Sequence, residues 1–368
     1  MKKLLLLLCL FAHLSYAQKY YAYVTAESED EVALIEFDGK EAVVAKTIPV
    51  GYKVSEIEGP HGITVAPDGE HWYLSMAHGN PFGTVYKFKT GTDQVVGSTS
   101  LGIFPASMQI SPVSGLLFCV NFNLHGKMVP STVSVVEPNA MMELKKVPVG
   151  VMPHGSRISS DGTKQYSVGM MSGELFEINT LSLEVSRILP LDEKVDHSKM
   201  DHSKMNHMNH SMAEGDGMQM QHSATKPTWV QPHPSNGKIY VAGNGTNEIL
   251  EIDGTSWEVT SRWACGKAPY NLDITPDGNK LVVSYKGEGA TGIWDLNEGK
   301  ELGKIQNTRS ISHGVAMSPD NKYAFISVEG KGGQPGSVDV IDLVSLKLVA
   351  SAETGKQAGG IAFWKVDP

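Results

Sequence analysis

The chain has 368 residues, 40 acidic side chains against 31 Lys and Arg, and a formal net charge of −9. No basic patch or arginine-rich run is present, which argues against a nucleic-acid partner. Its 38 glycines, with β-branched and aromatic residues in short runs, point to an all-β protein with many tight turns.

The first residues read as a secretory leader. Lys2 and Lys3 form a basic start, Leu4 to Ala12 an apolar run too short to span a bilayer, and Ser15-Tyr16-Ala17 a small-x-small cleavage site. Cys9 sits inside the apolar run behind Leu8, which is not a lipoprotein anchor. The predicted plan is a leader over 1–17 and a mature chain over 18–368, in the periplasm or at the cell surface. No later segment is apolar enough to be a membrane helix. Only Cys119 and Cys265 outlast cleavage, so the chain is no disulfide scaffold and one bridge between them stays open.

Beyond the leader, one unit recurs. Pro60-His61-Gly62-Ile63-Thr64-Val65 reads as a buried strand, Pro67-Asp68-Gly69 as a turn, and Trp72-Tyr73-Leu74-Ser75 as a second strand. The same phase returns at Pro105, Pro153, Pro227, Pro269 and Ser312, without gaps inside the unit. Each copy continues into a third strand ending in an acidic or amide residue, such as Ile249-Leu250-Glu251-Ile252-Asp253. A more polar fourth follows, such as Leu346-Lys347-Leu348-Val349-Ala350. Four antiparallel strands per unit at this spacing predict a β-propeller.

A seventh blade is split between the ends. Gly359 to Phe363 supplies its innermost strand, and Tyr21 to Thr25 and Val32 to Glu36 its second and third. The expectation is a seven-bladed all-β propeller whose last blade is closed by N- and C-terminal strands, which removes the sheet edges.

Tyr23-Val24-Thr25, Tyr240-Val241-Ala242 and the Pro-Asp-Gly turns resemble the YVTN-type β-propeller repeats of exported bacterial proteins. The likeness covers the mature chain except 192–226. It implies the fold firmly and the function poorly, since that family spans surface proteins, lactonase-like enzymes and the propellers of nitrous-oxide and nitrite reductases.

The register also places residues on the ring. The residue after each marker starts an innermost strand, where blades converge on the central channel, and that column reads His61, Ala106, His154, Thr228, Tyr270, His313 and Gly359. Three of its seven members are histidine in a chain with 13 histidines overall, an enrichment that ordinary composition does not produce. Imidazoles brought to one axis form a ligand set for copper or zinc. The column is similar to the histidine-lined channel that holds the copper cluster in the nitrous-oxide reductase propeller. Four blades lack the histidine, and no cupredoxin-like segment follows the repeats, so reductase activity is not expected. The plainer reading is that these histidines cap strand ends and bond backbone or water.

Loops joining second to third strands open on the same face. They carry His78, His125 and the pair Met170 and Met171, whereas His71 and His233 fall on the opposite face. Arg157, Trp229, Tyr270 and Asn271 lie near the column and could contact an anionic substrate.

One interval is long. Pro153 to Pro227 spans 74 residues where the others span 42 to 48, and the excess is Asp196 to His222 within a 192–226 insertion between blades three and four. There His197, Met200, His202, Met205, His207, Met208, His210, Met212, Met218, Met220 and His222 alternate with Ser, Asn, Asp and Gly. No strand or helix period is present, so disorder is expected when empty. Thioether and imidazole together suit copper in both oxidation states; zinc is the less favoured ion and calcium wants more carboxylates. The segment resembles the Met/His-rich tracts of exported copper-handling proteins. A hydrophilic linker would rarely collect methionine.

These observations predict a monomeric exported propeller that captures, stores or delivers copper, with a periplasmic copper protein as a candidate partner. A metal- or cofactor-dependent enzyme, reductase- or lactonase-like, and a cell-surface scaffold are the alternatives. Against the enzyme stand the missing Cys-x-x-Cys-His haem motif and the absence of acidic ligands in the column.

Overall fold

The computed structural model describes residues 18–53, 55–79, 82–193 and 222–368. The proposed leader lies outside the described residues, as does the Met/His tract apart from its last member, exposed His222. Among the described residues 28 strands form seven four-stranded antiparallel sheets, and no helix is long and apolar enough to cross a membrane. The predicted all-β, seven-bladed ring is what the chain forms.

Each marker opens an innermost strand. These are β4(Pro60–Val65), β8(Pro105–Ile110), β12(Pro153–Ile158), β16(Pro227–Pro232), β20(Pro269–Ile274) and β24(Ile311–Met317) in blades one to six. The ring closes as the sequence predicts. Innermost β28(Ala358–Asp367) pairs with β1(Lys19–Ala26), placing Tyr23 opposite Ala362, and β1 pairs with β2(Glu31–Phe37). A fourth strand, β3(Ala42–Pro49), completes that blade and was not picked out from the sequence.

Burial explains the strand types. Inner and middle strands lie between neighbouring blades and are buried along nearly their whole length, as in β12, whereas an outer strand such as β15(Glu184–Pro190) alternates exposed and half-buried positions. The core is therefore a set of wedges between blades rather than one centre. One wedge joins Phe118, Val133 and Val147 of blade two to Ile158 and Phe176 of blade three. Another stacks Tyr23 of blade seven on Trp72 of blade one, ring centroids 5.0 Å apart.

Convergence at the axis needs small residues. A Cβ on Gly62 would meet the Ala106 carbonyl oxygen at 1.9 Å, and one on Gly155 would meet the Trp229 Cα at 2.4 Å. The recurring His-Gly pairs at 61–62, 154–155 and 313–314 thus combine a lumen side chain with a backbone close enough to touch the next blade. Cys119, buried, and Cys265, half-buried, are free thiols, so the open disulfide does not form.

Candidate functional site at the channel mouth

The residue before most markers turns left-handed, with φ of +67° at Gly59, +53° at Phe104, +52° at Met152 and +51° at Ala268. Such angles are unusual for side chains as large as Phe and Met, and the surrounding sheet must hold them. The turn swings the chain onto the inner strand, and hydroxyls of neighbouring strands then fix the column carbonyls. Ser284 Oγ donates to His313 O at 2.6 Å, Ser107 Oγ to His154 O at 2.5 Å and Thr228 Oγ1 to Tyr270 O at 2.8 Å.

The three column histidines do meet. His61, His154 and His313 line one small cavity of about 40 Å³, with the His61 ring 5.9 Å from His154 and 6.1 Å from His313. Tyr270, the column residue of blade five, stands between the other two rings, 5.1 Å from His154 and 4.6 Å from His313.

Their hydrogen bonds differ. His154 Nδ1 faces the Thr228 carbonyl at 3.0 Å, so it must carry the proton, and Nε2 accepts the Tyr270 hydroxyl at 2.8 Å. Burial holds His154 down to about 3, with His61 adding to the effect. Burial also holds His313 well below the ordinary histidine value, helped by Lys286. Both rings are therefore neutral at neutral pH. The Nδ1 of His313 is buried without a partner.

His61 is tied to a residue outside the column. Its Nδ1–H donates to Glu27 Oε2 at 2.8 Å, and His78 Nε2–H donates to the other carboxylate oxygen, also at 2.8 Å. Burial pushes the Glu27 carboxyl up, but the two imidazoles outweigh it and hold the group well below the usual carboxylate range. The same bond raises His78. Exposed His125 reaches the edge of this group, its ring 5.7 Å from His78. The ring of Phe104 lies 5.0, 5.6 and 5.4 Å from His61, His78 and His125.

Glu27 was missed in the sequence, and so were Lys286 and Glu329. All three occupy one register position, the exit of the second strand, after β1, after β21(Lys280–Tyr285) and at the end of β25(Tyr323–Glu329). Lys286 Nζ sits 3.1 Å from Glu329 Oε1 and 4.2 Å from the Tyr270 ring centre, and Glu329 lies 3.7 Å from His313 Nε2. The acidic groups absent from the column thus come from the neighbouring column, which the same register makes readable. Blades five, six, seven and one make a charged half of the mouth, facing Phe122 and Trp229 across it.

Other predicted residues are placed apart. Met170 and Met171 pack on the wedge between blades two and three. His71 opens β5(His71–Met76), and His233 bonds the Gly278 carbonyl at the strand one–two turns, on the opposite face as expected. The flanks of the insertion are held by the loop after β13(Lys164–Gly169): Leu191 N donates to Gly173 O at 2.8 Å and Ser223 N to Met171 O at 3.1 Å. The tract itself, from His197 to Met220, lies outside the described residues.

Imidazoles sharing one ion at metal–nitrogen distances of about 2 Å bring their ring centroids to about 5 Å. The column rings are an ångström wider, and among the described residues no three His, Cys, Asp or Glu are drawn together as ligands. The donor chemistry fits copper or zinc. Loading would require the rings to close and the Tyr270 hydroxyl to leave His154 Nε2.

No protein-family model matches the sequence, and no curated protein matches it. Among solved structures the chain is similar to the Kuenenia stuttgartiensis hydrazine synthase, at TM-score 0.59 and 21% identity over 80% of each chain. It is also similar to a functionally unknown protein of Desulfotomaculum acetoxidans DSM 771, at TM-score 0.68 and 13% identity over 93% of this chain and 98% of that one. At these identities the likeness establishes the fold and nothing finer: the chain is a seven-bladed β-propeller.

Proposed function

We propose that this protein is an exported, monomeric copper-binding propeller of the YVTN type, in which the Met/His tract captures the ion and the channel mouth seats it. The observation that carries the reading is the meeting of His61, His154 and His313 around one cavity, from strands far apart in sequence. His61 supports it most directly. Its Nδ1–H is committed to Glu27, the carboxylate–imidazole arrangement that orients metal-ligating histidines and leaves Nε2 for the ion. His154 and His313 add two neutral rings, the ligand form that copper requires.

The flanking residues Leu191 and Ser223 lie beside Gly173 and Met171, on the loop face shared with His78 and His125, which suits transfer between the two sites. Its thioethers favour Cu(I) and its imidazoles Cu(II), whereas zinc would gain little from the methionines. A periplasmic copper protein is the natural recipient. A metal-dependent enzyme is the second reading, favoured by Glu27, Lys286 and Glu329 at the mouth.

Copper titration of the mature chain by calorimetry, with electron-spin resonance of the bound Cu(II), tests the proposal. Deletion of 196–222 is expected to lower the stoichiometry and leave one tight ion, and His61→Ala with His154→Ala and His313→Ala to remove that ion. Unchanged stoichiometry in both variants rejects the copper reading. Turnover of an added substrate that depends on Glu27 would favour the second.

A further inference from the structure

Below the histidines the register supplies a second ring. The residue four after each marker lines the lower channel: Thr64, Gln109, Arg157, Gln231 and Asp273 in blades one to five, with alanines in the other two. This lower chamber, partly open to solvent, has a volume of about 240 Å³ and shares Arg157 with the histidine cavity above it, room for a small ligand.

Among the described residues lining the two chambers, Arg157 is the one arginine, and its bonding is sparse. Nη1 donates to the Ser156 carbonyl at 2.9 Å, and the guanidinium carbon stands 4.5 Å from the Trp229 ring centre. No described carboxylate oxygen comes within 4.0 Å of its nitrogens, Asp273 included. An arginine carries five N–H donors in a planar fork that matches a carboxylate-like face. Stacking on an indole fixes the fork's position while leaving its edge free.

The neighbours share this deficit. Trp229 and Asn271 are only 7% and 4% exposed, yet Trp229 Nε1 has no acceptor and Asn271 Oδ1 no donor. Gln231 Oε1 is likewise buried without a partner. Burial without a partner is costly for each such atom, and their grouping around these two adjoining chambers points to a polar occupant. A half-turn of either amide would present its NH₂ in place of its oxygen.

The structure assigns to this ring a binding site for a small planar oxyanion, such as a carboxylate, nitrite or nitrate, held by the Arg157 fork beside Trp229. The site adjoins the proposed copper seat, since Arg157, Trp229 and Asn271 also line the histidine cavity, but it does not need the metal. Planarity is the selective feature: two parallel N–H···O bonds form with an O–X–O face and cannot form with a sphere. Thr64 and Gln109, at the same level of the ring in blades one and two, add polar lining.

The test is calorimetric titration of chelator-treated mature protein with formate, acetate, nitrite, nitrate and chloride at constant ionic strength. Saturable binding of the planar ions is expected, with chloride at least tenfold weaker. A preference for formate and acetate would identify a carboxylate as the natural ligand, and a preference for nitrite and nitrate an inorganic oxyanion. Arg157→Gln is expected to weaken planar ions at least tenfold. Arg157→Lys keeps the charge but loses the fork, and is expected to weaken planar ions at least fivefold while leaving chloride unchanged; it serves alone if the glutamine variant does not fold. Equal binding of chloride and the planar ions, or planar binding indifferent to Arg157→Lys, overturns the assignment.

Discussion

Glu27 and His61 stand 2.8 Å apart, carboxylate Oε2 to imidazole Nδ1, although they belong to different blades. The bond joins blade seven to blade one, because Glu27 follows β1 and His61 opens β4. It orients the His61 ring with Nδ1–H on the carboxylate and, through the second carboxylate oxygen, raises the proton affinity of His78.

Glu27→Gln is therefore expected to return His78 toward the ordinary histidine value of about 6.5. The raised value rests first on the hydrogen bond to Glu27 and then on that carboxylate's charge, both of which the amide weakens or removes. Proton NMR titration of the histidine ring signals checks it. A His78 midpoint that does not move would show that the bond does not persist in solution.

The buried histidines predict acid sensitivity. His154 is held down to about 3 when folded, against about 6.5 unfolded. Between those values the unfolded chain binds a proton that the folded one refuses, so stability is intact above pH 6.5 and falls as pH drops, by at most about 1.4 kcal/mol per unit. Denaturant unfolding of metal-free protein at several pH values is expected to show this slope. His154→Gln is expected to flatten it, leaving the contribution of His313.

Asp273 carries the opposite sign. Burial raises it to about 6, against the pull of Arg157. The folded state holds its proton longer than the unfolded one, so its favourable contribution is present below about pH 4 and is lost as pH rises to 6. Asp273→Asn, which keeps an oxygen for the Ile274 amide, is expected to stabilise the protein by about 1–3 kcal/mol at pH 7 and by nothing at pH 4. Equal effects at both pH values would contradict the burial argument.

Gly62→Ala tests the convergence of the blades. The added methyl would overlap the Ala106 carbonyl oxygen at 1.9 Å, backbone that cannot step aside. A loss of about 1–3 kcal/mol or more is expected in thermal or denaturant unfolding. Gly91→Ala, with nothing within 4 Å of its Cβ but a φ of +81°, is the control for backbone strain alone.

Much of this site was readable before any fold was in hand. His61, His154 and His313 could be put on one axis because each sits one residue into an innermost strand, and strand position in a repeat follows from periodicity. Glu27, Lys286 and Glu329 share the next column and are readable by the same device. What could not be read is which atoms touch. Tyr270 was known to share the column, but not that its hydroxyl occupies His154 Nε2 and its ring separates His154 from His313.

The repeat therefore determined by itself the seven blades, their closure and the identity of the residues that face the channel, because every blade must bury the same second and third strands and make the same turn at the same spacing from its marker. Tertiary structure alone decided how those residues pair and which imidazoles are neutral. Pairing depends on ångström-scale separations across the lumen, which the ring fixes only once β28 and β1 have closed it.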